Sequence, residues 1–263
     1  FADMIQRITF IGAGNLATSL ASTFFSHGLC IRQVYSRTAE SARKLARLVN
    51  ASYTCNPEEI DRTADLLVVA LKDDAIVPVL SRMKPTDRIL VHTAGSVPME
   101  KLASFSKCYG VFYPLQTFSR TREVDFSDIP LCLEASSGEV MSRLMHLGRS
   151  ISSNVLEMDS MKRKILHLAA VWGCNFVNHL YYMGQRLLEE NELSFDLLKP
   201  LIRETAAKIE DMSPLDAQTG PAVRNDSHII GSHLQLMDGR PGMQEIYRLM
   251  TESVYRTYKK QTR

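Results

Sequence analysis

The residues able to do chemistry fall into two groups, one that would hold a nucleotide and one that would act on a substrate. Gly12-Ala13-Gly14-Asn15-Leu16-Ala17 has G-x-G-x-x-A spacing and stands between an apolar run and a helical pattern. Gly12 permits a tight turn, Gly14 lets the backbone approach a pyrophosphate, and Ala17 is small enough for the helix to pack on the strand. The helix N-terminus then presents unpaired N–H groups and the positive end of its dipole. The second strand closes on Ser36-Arg37-Thr38, with Arg43 and Lys44 beyond it, where an acidic residue would grip the ribose 2′-hydroxyl of NAD. Arginine supplies charge and a planar fork to a 2′-phosphate, so the expected cofactor is NADP. Leu71, Lys72 and Thr93 close two later strands and complete the expected cofactor contacts.

Hydride chemistry with such a cofactor would also need a group that protonates or polarises a carbonyl or imine. At roughly 100° per residue, Lys164, His167, Asn175 and Asn178 fall within about 80° on a helix wheel. Burying amides and an imidazole costs energy unless they are paired, so a polar stripe on an apolar helix has a purpose. The catalytic candidates are His92, His167, Asn175 and Lys164, with His92 at the strand end His92-Thr93-Ala94-Gly95, which should lie near the nicotinamide. The alternative is that the stripe bonds to neighbouring helices or to a dimer partner. Substrate contacts are expected from Gln116, Asn178, Thr219, Arg224 and Asp226, Arg224 by clamping a carboxylate bidentately. Asp226 can equally cap a helix starting at Ser227. No His, Cys and carboxylate set has metal spacing, so no metal is expected.

These residues need a scaffold, and the periodicity supplies one. Strands are predicted at Arg7 to Ile11, Cys30 to Tyr35, Leu66 to Leu71, Ile89 to His92, Gly110 to Tyr113, Leu131 to Glu134 and Asn154 to Leu156. Helices are predicted at Asn15 to Ser26, at Ala39 to Val49 with Thr38 as N-cap, at Asp73 to Met83 and at Gly138 to Arg149. The alternation implies an α/β Rossmann domain, a doubly wound and mostly parallel sheet, over residues 1–157. Residues 158–263 read as all helix: Met161 to Glu190, Phe195 to Met212, Ser227 to Met237 and Gly242 to Tyr258. This second half is expected to form a substrate and dimerisation domain.

The bulk properties exclude several classes. A net charge of +2 with dispersed Lys and Arg gives no footprint for nucleic acid or an anionic membrane. Hydrophobic residues at 45% and charged residues at 23% suit an ordinary globular chain. The apolar stretch Ile165 to Met183 is interrupted by His167, Asn175, Asn178 and His179, a poor membrane span. Five dispersed cysteines and a start, Phe1 to Gln6, without a basic or apolar leader pattern predict a cytoplasmic protein with reduced thiols.

The glycine turn, Ser36-Arg37-Thr38, Val91-His92-Thr93-Ala94-Gly95 and Pro114-Leu115-Gln116-Thr117-Phe118 resemble a Rossmann-like NADP oxidoreductase family. Its N-terminal domain is similar to pyrroline-5-carboxylate reductases and coenzyme F-420-dependent NADP oxidoreductases. His167-Leu168-Ala169-Ala170-Val171, Asn175-Phe176-Val177-Asn178 and Thr219 to Asp226 resemble that family's C-terminal helical domain, whose function is not established. The resemblance implies NADP and a helical domain similar to that of 6-phosphogluconate dehydrogenase relatives, with no particular substrate. Where the family has a histidine before Pro-Leu-Gln, this chain has Tyr113. Hydroxyacid dehydrogenases of similar build carry a Lys four residues before an Asn; here that position is Val171, and Lys164 lies about 16 Å from Asn175 along a helix axis. The expected activity is NADP-dependent reduction of a small carbonyl or imine compound by a homodimer. A non-catalytic NADP-binding protein and a pyrroline-5-carboxylate reductase are the alternatives.

Overall fold

The uninterrupted apolar runs become strands, and the amphipathic runs between them become the helices that cover the sheet. The computed structural model describes residues 4–119 and 122–259. In chain order its first part contains β1 (Arg7–Ile11), α1 (Asn15–Ser26), β2 (Cys30–Tyr35), α2 (Ala39–Leu48), β3 (Ser52–Thr54), β4 (Leu66–Val69) and α3 (Ile76–Leu80). Then follow β5 (Ile89–His92), β6 (Tyr109–Pro114), β7 (Leu131–Ala135), α4 (Gly138–Arg149), β8 (Val155–Glu157) and α5 (Ser160–Ala170). The sheet order is β3-β2-β1-β4-β5-β6-β7-β8, parallel at every pairing except β6 with β7. One face packs Phe10, Val68 and Val91 against Leu20 and Phe24 of α1 and Leu144 of α4. The other packs Leu67, Val69 and Leu90 against Ile76 and Leu80 of α3. This is the doubly wound architecture expected.

Register sets the active edge. Ile11 pairs with Val69, and Val69 with His92. The turns after β1, β4 and β5 therefore leave the sheet side by side, where the strand order reverses and α/β folds bind ligands.

The chain folds as two compact units, Phe1–Asn175 and Phe176–Arg263, divided after α5 where a break was expected at 157. The reason is that α5 is bonded to the sheet through Glu134 and Tyr113, and so belongs with the strands. A π-helix, Val171–Phe176, follows α5. The wheel that gathered Lys164, His167, Asn175 and Asn178 assumed regular α spacing, and a π-turn breaks it. The second unit holds α6 (Val177–Glu189), α7 (Lys199–Asp211), α8 (Pro221–Arg224), α9 (Ser227–Leu236) and α10 (Pro241–Lys259). Glu190 takes ion pairs from Arg186 and Arg240, and His233 Nδ1 lies 2.8 Å from Tyr247 Oη, joining α9 to α10.

Candidate functional site

The glycine turn is built for a ligand to come close. Gly12 has φ +128°, and a Cβ there would lie 2.1 Å from the Ala70 carbonyl oxygen, so only glycine fits. Its N–H donates to Tyr35 O at 2.8 Å, which ties the turn to the end of β2. A Cβ at Gly14 would meet nothing within 4 Å. That opening, at the N-terminus of α1, fits a pyrophosphate against free backbone N–H groups. Ala13 packs on the core and Leu16 is half-buried, while the Asn15 amide donates to Phe118 O at 3.0 Å. Asn15 therefore links the turn to the segment after β6.

Charge gathers on the β2 side. Ser36 N–H donates to Thr54 O at 3.2 Å, so the backbone at the strand end is held by β3. Arg37 and Thr38 are exposed, and Arg37 makes no hydrogen bond or ion pair among the described residues. Thr38 occupies the N-cap of α2, but its hydroxyl caps nothing. Arg43 lies 5.6 Å over the Tyr53 ring and donates to Tyr53 Oη at 3.3 Å, while among the described residues Lys44, like Arg37, makes no ion pair. A cleft of about 670 Å³ runs from Ala13, Gly14 and Asn15 to Lys44 and Arg122. Leu71 packs under the edge, and exposed Lys72 precedes Asp73, whose carboxylate accepts from Ser96 Oγ and joins the loops after β4 and β5. Thr93 is buried, its N–H bonded to Val69 O at 3.2 Å.

At the end of β5 the chain assembles a pair that spans 54 residues of sequence. Tyr113 Oη and His167 Nδ1 are 3.0 Å apart, with the rings edge-on at 73°. The His167 ring rests directly on Gly95: a Cβ there would lie 2.6 Å from Nδ1 and 2.7 Å from Cγ. Burial pushes the Tyr113 phenol up to about 12, so it keeps its proton at neutral pH. The hydroxyl can donate to Nδ1, which leaves the imidazole proton on Nε2. Tyr113, flagged in the sequence only as a departure from its family, is thus the partner of the best-placed histidine.

His92 does not reach this surface. It is fully buried, its Nδ1 accepts from Ala94 N–H at 3.2 Å, and burial with the nearby Arg163 charge lowers its pKa to about 4. As a neutral imidazole in the core, His92 has no exposed face at the strand end, where a catalytic role was expected of it. One residue missed in the sequence lies close by. Arg163, also fully buried, pairs with Glu134 and donates to Val97 O at 2.6 Å and Ser160 Oγ at 3.0 Å. Glu134 accepts in addition from Ser160 N–H at 2.9 Å and Ser160 Oγ at 2.7 Å. A signal existed, since any wheel that turns His167 inward also turns in Arg163 four positions earlier.

The other candidates belong to both units. Lys164 and Asn175 are exposed and make no hydrogen bond to Tyr113 or His167 among the described residues. Gln116 is exposed, and its side-chain oxygen is taken by Thr117 N–H at 2.8 Å. In the second unit, Asn178, Thr219 and Arg224 are exposed. Asp226 is a helix cap, its Oδ1 accepting from Ile229 N–H at 3.2 Å. Among the described residues no cluster of His, Cys, Asp or Glu could hold a metal, and no helix is long and apolar enough to cross a membrane.

Known proteins share this fold. Residues 7–96 match the family described as NADP oxidoreductase coenzyme F420-dependent, and residues 129–254 match a domain of unknown function. A solved structure from Bacteroides fragilis, assigned provisionally as an NADP oxidoreductase, is 45% identical, covering 97% of this chain and 100% of its own, with a TM-score of 0.91. A reductive aminase from Aspergillus terreus, solved with NADPH and ethyl-5-oxohexanoate, is 17% identical over 98% of this chain and 95% of its own, with a TM-score of 0.74. An imine reductase from Myxococcus stipitatus, solved with NADP+, is 16% identical over 97% and 94%, with a TM-score of 0.61. No curated protein matches the chain. The chain belongs to the Rossmann-like NADP oxidoreductases that carry this C-terminal domain. Its cofactor is NADP, which the open glycine turn and unpaired Arg37 fit.

Proposed function

We propose that the protein is an NADPH-dependent reductase of a small carbonyl or imine compound. The observation that carries this reading is the Tyr113–His167 pair seated on Gly95, at the strand end beside the glycine turn. NADPH held by Gly12, Gly14, Ser36, Arg37 and Thr93 supplies a hydride when bound. The chain must then furnish a proton to the substrate oxygen or nitrogen. Protonated His167 gives up its Nε2 proton and keeps the one on Nδ1, which donates to Tyr113 Oη. Neutral His167 with its proton on Nε2 accepts at Nδ1 from the same hydroxyl. Because a hydroxyl both donates and accepts, Tyr113 holds the ring in either state.

The test is an NADPH-oxidation screen over imines and carbonyl compounds with wild type and His167→Ala side by side. The reductive aminase and imine reductase of the same fold make imines the first compounds to try. The expected outcome is turnover in wild type that falls about 100-fold in the variant. Equal rates would remove His167 from the mechanism. Tight NADPH binding with no turnover on any compound would favour the non-catalytic reading.

We also propose a homodimer in a reducing, cytoplasmic setting, the latter supported by five free thiols. Met161, Ile165 and Leu168 are 67%, 61% and 57% exposed on α5. In the second unit Met237 is the one buried hydrophobic among the described residues, while Leu201, Leu236 and Leu249 lie open. Apolar surface on this scale is characteristic of a subunit interface. Light scattering at micromolar concentration should give twice the chain mass, and a monomer would overturn this.

A further inference from the structure

Arg163 and Glu134 do more than close the edge of the sheet. Glu134, on β7, accepts from the first N–H of α5 and from the Ser160 hydroxyl, so a strand residue holds the start of the helix that carries His167. Arg163 stands one turn before His167 and sends its fork in two directions. One nitrogen pairs with Glu134, and the other reaches Val97 O, two residues past Gly95. Met99 N–H adds a bond to Ser160 Oγ at 3.3 Å. The two surfaces that meet at the site, the Gly95 backbone and the His167 ring, are thus each fixed within a few residues of one buried guanidinium. The arrangement is all-or-nothing: a buried pair that loses one partner leaves an uncompensated charge in the core, while a well-packed apolar pair in its place is tolerated.

We infer that Glu134 and Arg163 are positioning residues, which hold the His167 imidazole on Gly95 within reach of the Tyr113 hydroxyl. This rests on the reading of His167 as proton donor, yet its geometric content can be tested without any substrate. A second consequence separates it from a purely structural role. The glycine turn joins β1 to α1, and among the described residues neither element makes a hydrogen bond or ion pair with Arg163, so cofactor affinity should survive changes that disturb the imidazole.

The experiment uses the full-length chain, with Glu134→Gln as the first variant. Glu134→Leu combined with Arg163→Met is the second; it removes the pair without leaving a lone charge, in case the first does not fold. The readout is the His167 ring-nitrogen signals in long-range ¹H–¹⁵N spectra, beside NADPH affinity by fluorescence titration. Both variants, and Tyr113→Phe beside them, are expected to lose the wild-type Nδ1 signature, with the Kd for NADPH changed less than threefold in the first two. Where the screen has found a substrate, kcat should fall at least tenfold at unchanged KM for NADPH. Wild-type His167 signals in a folded variant would overturn the positioning role. Lost signals in a protein that turns over no substrate would uphold it and refute only the reductase reading. A parallel loss of NADPH affinity would show a general disruption of the fold and would also overturn the proposal.

Discussion

Replacing Gly95 with alanine puts one methyl group against the residue on which the proposed chemistry depends. Gly95 lies outside the left-handed region, so its backbone accepts alanine, and the whole effect comes from contact. The new Cβ would sit 2.6 Å from His167 Nδ1, 2.7 Å from Cγ and 2.9 Å from Cβ. Ordinary contact begins near 3.4 Å, so the ring must retreat by roughly 0.8 Å and its Cβ by roughly 0.5 Å. Rotating the ring alone cannot achieve that, because the His167 Cβ itself is too close; α5 has to shift. Overpacking of this kind costs about 1–3 kcal/mol. Stretching the 3.0 Å bond to Tyr113 adds about 1 kcal/mol. A misplacement of about 1 Å lowers turnover by about 100-fold. The assay is a denaturant double-mutant cycle of Gly95→Ala with His167→Ala, followed by kcat on a substrate found in the screen. His167→Ala removes Nδ1 and Cγ but keeps the Cβ at 2.9 Å, so it should restore part of the stability that Gly95→Ala loses, with a coupling of about 1–2 kcal/mol. Purely additive losses would show that the ring does not rest on Gly95, and the placement of the site would fall with it.

Two further outcomes follow from features of the same unit. Arg37→Ala should weaken NADPH binding about 10- to 100-fold while leaving NADH affinity within twofold, since one charge-assisted contact to a 2′-phosphate contributes about 1.5–3 kcal/mol. Equal losses for the two cofactors in parallel titrations would place the phosphate elsewhere. His92 is held neutral, its pKa lowered from 6.5 to about 4, so between those values the unfolded chain binds a proton that the folded chain does not. Its contribution is complete above pH 6.5 and is lost as the pH falls toward 4, by about 3 kcal/mol in all and about 2 kcal/mol at pH 5. Denaturation of wild type and His92→Asn at pH 7 and pH 5 should show a flatter profile for the variant. Parallel profiles would contradict the buried neutral imidazole.

Local pattern was a good guide where a residue's fate depends on its near neighbours. The bounds of β1, α1 and β2 coincide with those read from the apolar runs, and the open Gly14 stands where G-x-G-x-x-A requires it. The reversed direction of β7 was not legible, because a strand's direction is set by a pairing partner distant in sequence. Neither was β3, a strand of 3 residues with two exposed side chains. Tyr113 and His167 each stood out, one as a departure and one on a polar stripe, but nothing local says they meet. Arg163 illustrates the opposite error: on a helix a charge reads as solvent-facing unless its partner is known, and Glu134 is 29 residues away. Asn175 and Asn178 were grouped with His167 by a regular wheel, which the π-helix at Val171–Phe176 interrupts.

The sheet also has a consequence for how the protein behaves at high concentration. Its two outer strands, Ser52–Thr54 and Val155–Glu157, are each only 3 residues long. Edges that short expose few unpaired backbone groups, and a foreign strand gains little by adding to them. The six longer strands lie between them. Aggregation by sheet extension is therefore closed off at both ends by strand length alone, and self-association is left to the side-chain surfaces of the helices.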